Sequence, residues 1–190
     1  MKDYTKEIAG EIIRKMNLKT NYSENKMEVL TYGMELILNS LLKVLIYLCV
    51  GVMLGKFLEV VFAIIVFVIL RKTSGGIHFE KDIYCFLVTG GIILGSVFSA
   101  EILKQKERLN IILMLFSIIL YLRYAPCDEY YDENNLGEKE KDKFKSMMLV
   151  CTFFAGSILM NDYCRSVVTI VAFLEGLTLI KGGNKDEKSN

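Results

Sequence analysis

The sequence predicts an all-α, polytopic membrane protein with about six transmembrane helices and an N-terminal amphipathic helix. Three observations carry that expectation. The 190-residue chain is 53% hydrophobic with a mean hydropathy of +0.37, richer in apolar residues than a soluble globular domain. Its charges gather in short stretches between apolar runs. Six such runs follow one another between Leu36 and Ile180, a density that a soluble helical bundle rarely reaches.

The N-terminal stretch Met1–Leu18 spaces Tyr4, Ile8, Ile12, Ile13 and Met16 at helical intervals. It predicts an amphipathic helix, lying either on the membrane surface or on the rest of the protein. Residues 1–34 are charged throughout and hold no apolar h-region, so no signal peptide is expected there. The runs are Leu36–Leu54, Phe57–Leu70, Ile83–Ala100, Leu109–Leu122, Ser146–Met160 and Ser166–Ile180. Crossing a bilayer takes about 20 apolar residues. Only the first and third runs approach that length, so the others are expected to tilt, thin the membrane or stop partway. The whole of 1–190 is expected to form one integral membrane domain. Residues 1–34 and the tail 181–190 are placed in the cytosol.

Charge sets the expected orientation. Seventeen of the 23 Lys and Arg residues fall in the N-terminal region, the stretch around Lys81, the stretch Arg123–Lys145 and the tail; five fall on the other side. By the positive-inside rule both termini are cytoplasmic, as are the segment around His78 and the hydrophilic loop Arg123–Lys145. That loop reads as a solvated linker. The formal net charge of +1 gives no reason to expect a nucleic-acid partner.

The five cysteines (Cys49, Cys85, Cys127, Cys151 and Cys164) are odd in number, irregularly spaced and form no C-x-x-C pair, so they are not a disulfide framework. Cys49 and Cys151 lie within apolar runs and read as small apolar residues. Cys85 alone is near the single histidine, His78, in the stretch "LRKTSGGIHFEKDIYCF". A thiolate is the nucleophile that a thiol must become. An imidazole can take that proton and return it to a leaving amine, so the two suffice for acyl transfer. On a straight helix residues seven apart lie about 10 Å from one another. A working pair therefore requires the chain to fold back before Cys85. Gly75-Gly76 supplies the means, either as a simple turn or with its N–H groups as oxyanion donors. A zinc site would want four ligands and finds only His78 and Cys85 here, with Glu80 and Asp82 as unusual additions. A histidine with a purely structural role is the remaining alternative. No metal or cofactor is expected.

These residues resemble the accessory gene regulator protein B (AgrB) family. Arg71, Gly75, Gly76, His78 and Cys85 match its central signature. "YGMELILN" (Tyr32–Asn39) and "RYAPCDE" (Arg123–Glu129) are similar to its weaker flanking motifs. The chain departs from the pattern in having no second proline after Pro126 and a cysteine at Cys127. The resemblance implies a plasma-membrane cysteine endopeptidase that processes an AgrD-like propeptide for quorum sensing. Cys85 would attack the backbone carbonyl at the end of the future ring, with His78 as base and then acid. The propeptide tail would leave, and an internal Cys or Ser of the substrate would close a thiolactone or lactone on the thioester. Its site would sit at the cytoplasmic interface. Beyond the propeptide and the lipid bilayer, a homodimer is the expected partner.

Arg71 is open to two readings: pairing with an acidic group of the substrate or a lipid phosphate, or anchoring the end of the second run. Among charges inside runs, Lys43 is paired in expectation with Glu175. Two other classes compete with the peptidase. A small-peptide exporter would need no nucleophile and would carry polar residues at mid-membrane. A non-catalytic partner of a sensor kinase would tolerate changes at both His78 and Cys85.

Overall fold

A computed structural model describes residues 2–20, 23–75, 82–125 and 136–182, and every element among them is an α-helix. The helices are α1 (Lys2–Thr20), α2 (Glu24–Met53), α3 (Phe57–Ser74), α4 (Asp82–Leu103), α5 (Glu107–Tyr124), α6 (Leu136–Ile158) and α7 (Asp162–Gly182). Each of the six apolar runs falls on its own helix, α2 to α7, and α1 is the N-terminal helix. Three of them, α2, α4 and α7, are long and apolar enough to cross a membrane by length and composition. Helices α3 and α5 have 18 residues each, about 27 Å of rise against a hydrocarbon core of about 30 Å.

Two helices begin ahead of their apolar runs. Helix α2 starts at Glu24, where the Ser23 carbonyl accepts the Lys26 and Met27 N–H groups at 3.0 Å each. The polar residues that follow are good helix formers, and Thr31 returns its hydroxyl to the Met27 carbonyl at 2.8 Å. Helix α6 starts at Leu136, so the second part of the expected linker Arg123–Lys145 is helical. Its Lys and Glu residues tolerate a helix as readily as solvent, and Lys145 pairs with Asp142 one turn back at 2.7 Å.

The chain divides into two compact units, Met1–Val52 and Met53–Asn190. In the first, α1 buries Thr5, Ala9 and Ile13, one residue per turn, while Ile8 and Met16 are exposed. The buried stripe is thus rotated from the one that the large apolar residues of the sequence suggest.

In the second unit, α7 packs against each of α3, α4, α5 and α6. Three-residue connections, 104–106 and 159–161, join α4 to α5 and α6 to α7 and make those neighbours antiparallel. Gly55, just ahead of α3, takes φ 65°. Helix α5 approaches α7 closely at Gly176, where an added Cβ would lie 3.2 Å from Leu120 Cδ1 and 3.3 Å from the Tyr121 ring. Small residues at such crossings are how helices pack in lipid.

The burial pattern is that of a membrane bundle. Ile111, Ile112, Leu115, Ile119 and Leu122 of α5 point outward, as do Leu58, Ile65 and Val68 of α3. Inside lie Ser74, Ser96, Asn110, Ser117, Ser146, Ser157, Ser166, Thr169 and Glu175, beside Val60, Val66, Val97, Val167 and Val171. Apolar side chains pointing outward suit hydrocarbon, and interior hydroxyls return their hydrogen bonds to the helices, as Ser117 does to Leu113 O at 2.8 Å.

The two ends of this bundle differ. At one end Glu101 accepts from Lys56 at 2.7 Å and Lys104 at 2.6 Å, and Lys56 stands 5.4 Å over the Tyr163 ring. The Tyr163 hydroxyl donates to the Val97 carbonyl at 3.0 Å. The other end carries the last turn of α3 and the first turns of α4.

Candidate active site

Cys85 lies in the first turn of α4, which begins at Asp82. Its thiol is free and half-buried. The apolar body of α4 continues from there into the bundle, through buried Ile92, Ile93, Val97 and Ala100. Cys85 thus stands where the apolar body of α4 begins, with its side chain only partly in contact with solvent. His78 and Gly76 lie outside the described residues, between Gly75 and Asp82.

Gly75 ends α3 with φ 72° and ψ −138°, a conformation that a residue with a Cβ enters only under strain. Its N–H donates to the Arg71 carbonyl at 3.1 Å. This satisfies one of the orphan carbonyls of the helix end. Of the two glycine N–H groups considered as oxyanion donors, the one at Gly75 is therefore engaged in the cap.

Arg71 is tied into the bundle. Its Nη1 donates to Glu175 Oε1 of α7 at 3.0 Å, and the same nitrogen reaches Thr178 Oγ1 at 3.5 Å. Thr178 in turn donates its hydroxyl to the Glu175 carbonyl at 2.7 Å, leaving its oxygen to face the guanidinium. Inside the fold Glu175 thus pairs with Arg71, where the sequence pointed it to Lys43. The physical reason is depth: Glu175 is 0% exposed and needs a donor at its own level, which the last turn of α3 supplies.

A second tie holds the same helix end. Ser146 of α6, fully buried, lies 2.6 Å from the Thr73 carbonyl and 2.9 Å from the Asp142 carbonyl, and donates its hydroxyl there. Ser74 is also fully buried and donates to Leu70 O at 2.8 Å. The Tyr121 hydroxyl is enclosed near Ser74 and Glu175, with no bond of normal geometry to either. Glu175 Oε2 likewise has no hydrogen-bond partner among the described residues. Glu175, Thr178, Ser146 and Tyr121 do not stand out as site residues in the sequence. The available signal is Glu175 itself, a carboxylate in the middle of an apolar run. Among the described residues, no cluster of three His, Cys, Asp or Glu side chains is placed to hold a metal ion.

Residues 5–179 of this chain match the family described as Accessory gene regulator B. The chain belongs to that family. Two curated AgrB-like proteins of Clostridium perfringens are similar to it. AgrB-like protein 2 of strain 13 (type A) is 24% identical over 154 residues, 77% of this chain and 72% of that one. The AgrB-like protein of strain SM101 (type A) is 23% identical over 150 residues, 75% of this chain and 70% of that one. No solved structure matches. Membership in the Accessory gene regulator B family, together with the apolar helices, makes the chain a plasma-membrane protein of the quorum-sensing propeptide-processing type.

Proposed function

We propose that the chain is a cysteine endopeptidase that trims a small quorum-sensing propeptide and hands it on as a ring. The observation that carries this reading is a free, half-buried Cys85 in the first turn of an apolar helix, seven residues after the only histidine, in a chain of this family.

The chemistry follows from those groups. His78 accepts the Cys85 thiol proton, and the sulfur attacks the scissile carbonyl of the propeptide. As the tetrahedral intermediate collapses, the C–N bond breaks and the imidazolium gives its proton to the leaving amine. The tail departs and the N-terminal part stays on Cys85 as a thioester. The substrate's own internal thiol or hydroxyl then attacks that thioester and closes a thiolactone or lactone, regenerating the Cys85 thiol. Exchange of one thioester for another loses little free energy, provided that water is kept from the acyl-enzyme. Backbone N–H groups at a helix start point out along the axis, so the first turn of α4 can supply an oxyanion donor beside Cys85. Both termini and this site face the cytosol in this reading, and residues 1–190 work as one membrane peptidase domain.

The test is co-expression with the cognate propeptide, followed by mass spectrometry of the peptide products. Wild type yields a tail-less, ring-closed product, and Cys85→Ala and His78→Ala yield only precursor. Processing that persists in Cys85→Ala would remove the peptidase reading and leave export as the function.

A further inference from the structure

We propose that the end of the bundle opposite to Cys85 holds a binding site for a phospholipid headgroup that carries a primary ammonium beside its phosphate. The site is a polar cavity of about 220 Å³ lined by Lys104, Gln105, Glu107, Asn110, Asp162 and Arg165, far above the roughly 10–15 Å³ that a single water needs. It lies where α4 ends and where α5 and α7 begin, about 28 Å along α4 from Cys85. All six residues belong to the second compact unit, and the cysteine chemistry proposed above makes no use of them.

One buried atom sets the chemistry. Asn110 is 5% exposed, the most buried of the six. Its Nδ2 donates to Ser166 Oγ at 2.9 Å. The Ser166 hydroxyl has a single proton, which it gives to the Asp162 carbonyl at 2.8 Å. Ser166 Oγ must therefore accept from Asn110, which fixes the way the amide points and leaves its Oδ1 without a donor among the described residues. A buried amide oxygen without a donor is costly, so the site asks for an N–H. Glu107, on the same wall, makes no ion pair or hydrogen bond among the described residues. A primary ammonium answers both acceptors.

The cations of the wall ask for the opposite charge. Lys104 gives one bond to Glu101 at 2.6 Å, and Arg165 pairs with Asp162. An ammonium has three N–H donors and a guanidinium five, so both keep donors for an anion. They stand beside the first turns of α5 and α7, and helix N-termini favour phosphate. A ligand of one sign leaves half of the wall unanswered. The surroundings decide between a soluble zwitterion and a lipid. Leu109, Ile112, Phe116 and Ile119 follow one another at helical spacing down the outward face of α5, all exposed. This apolar strip starts one residue from Asn110 and gives acyl chains a path away from the cavity that holds the headgroup.

Native mass spectrometry of the full chain in detergent reads the site directly. The protein is mixed with phosphatidylethanolamine, phosphatidylcholine and phosphatidylglycerol in equal amounts and with identical acyl chains. Wild type retains one phosphatidylethanolamine, preferred by about tenfold or more, the weight of one charge-assisted hydrogen bond. Phosphatidylcholine keeps the positive charge without an N–H, and phosphatidylglycerol has no cation. Glu107 is exposed, so Glu107→Gln removes its charge with the helix content by circular dichroism unchanged, and the preference falls to about twofold or less. Asn110→Ala lowers the preference too; should that variant lose helix content, Glu107→Gln decides alone. Glu140→Gln makes the same charge change on α6, at the Cys85 end of the bundle, and leaves the preference intact. Equal retention of the three lipids by wild type would overturn the proposal. So would an undiminished preference in Glu107→Gln, or an equal loss in Glu140→Gln. Glycerophosphoethanolamine, the same headgroup without chains, displaces the lipid only at about a hundredfold excess or more, because each buried CH₂ strengthens the lipid's hold. Displacement at equal concentration would overturn the lipid assignment by showing a site for a soluble ligand.

Discussion

Removing one side of the Arg71–Glu175 pair has unequal costs, and the inequality can be worked out from burial. Glu175 is 0% exposed and the Arg71 side chain 30% exposed. Arg71→Met strands a carboxylate with both oxygens unpaired in the bundle, at a cost of about 3–5 kcal/mol. Glu175→Gln takes one carboxylate from a guanidinium that is itself 30% exposed and still faces Thr178 Oγ1. Gln also keeps a carbonyl oxygen as acceptor, so the cost is about 1–2 kcal/mol. The double variant Arg71→Met/Glu175→Leu leaves no charge behind and returns to within about 1 kcal/mol of wild type. For a chain of this length each kcal/mol moves Tm by about 2–4 °C. Thermal melts in detergent, followed by far-ultraviolet circular dichroism, therefore give losses of about 6–20 °C, 2–8 °C and under 4 °C for the three proteins. Equal losses for the two single variants, or a double variant as unstable as their sum, would refute the claim that a desolvated Glu175 depends on Arg71.

Four further outcomes follow from the structure. Gly75→Ala forces a Cβ into φ 72°, costs about 1–3 kcal/mol of local strain and reduces propeptide processing while leaving the helix content by circular dichroism unchanged. Ser146→Ala removes the hydroxyl from the Thr73 carbonyl and lowers stability by about 1–3 kcal/mol in the same melts. Gly176→Leu drives a side chain into Leu120 and Tyr121, already 3.2–3.3 Å from a Cβ at that site, and destabilises by about 1–3 kcal/mol. The hydrogen bond to Glu101 raises the Lys56 pKa from its ordinary 10.5; the stabilisation is whole below that value and is lost as pH rises through the higher folded pKa. Melts taken at increasing pH above 10.5 therefore bring wild type down towards Lys56→Met, and parallel curves for the two proteins would contradict the pairing.

The helices are legible in the sequence because each apolar run is bounded by charges or glycine, and such boundaries are local. Gly55 and Gly75 mark helix ends, just after α2 and α3, and both take a positive φ. The starts of α2 and α6 are less legible, since Glu, Lys and Met before an apolar run are equally at home in a helix or in solvent. The facing of α1 is hidden for another reason. Large apolar residues mark a stripe by size, but the buried stripe runs through Thr5 and Ala9, which a size criterion overlooks.

The site is legible to the same extent. Cys85, Arg71 and Gly75 stand out because the local signature puts them together. Their supports come from elsewhere in the chain: Glu175 is 104 residues from Arg71 and Ser146 is 73 residues from Thr73. No local pattern specifies which helix a buried charge will meet, so the sequence marks Glu175 as a costly group and points it to the wrong partner. Packing around α7 decides the matter by bringing the last turn of α3 to the level of that carboxylate.

The central claim is that Cys85 carries the acyl group. Its most direct measurement uses a propeptide whose internal Cys or Ser is replaced by Ala, so that the thioester cannot be resolved by ring closure. The purified chain is incubated with that peptide, treated with or without hydroxylamine, digested and mapped by mass spectrometry. A hydroxylamine-sensitive adduct, of the mass of the tail-less peptide, is expected on Cys85 and nowhere else. An adduct on Cys49, Cys127, Cys151 or Cys164, or cleavage without any adduct, would contradict it.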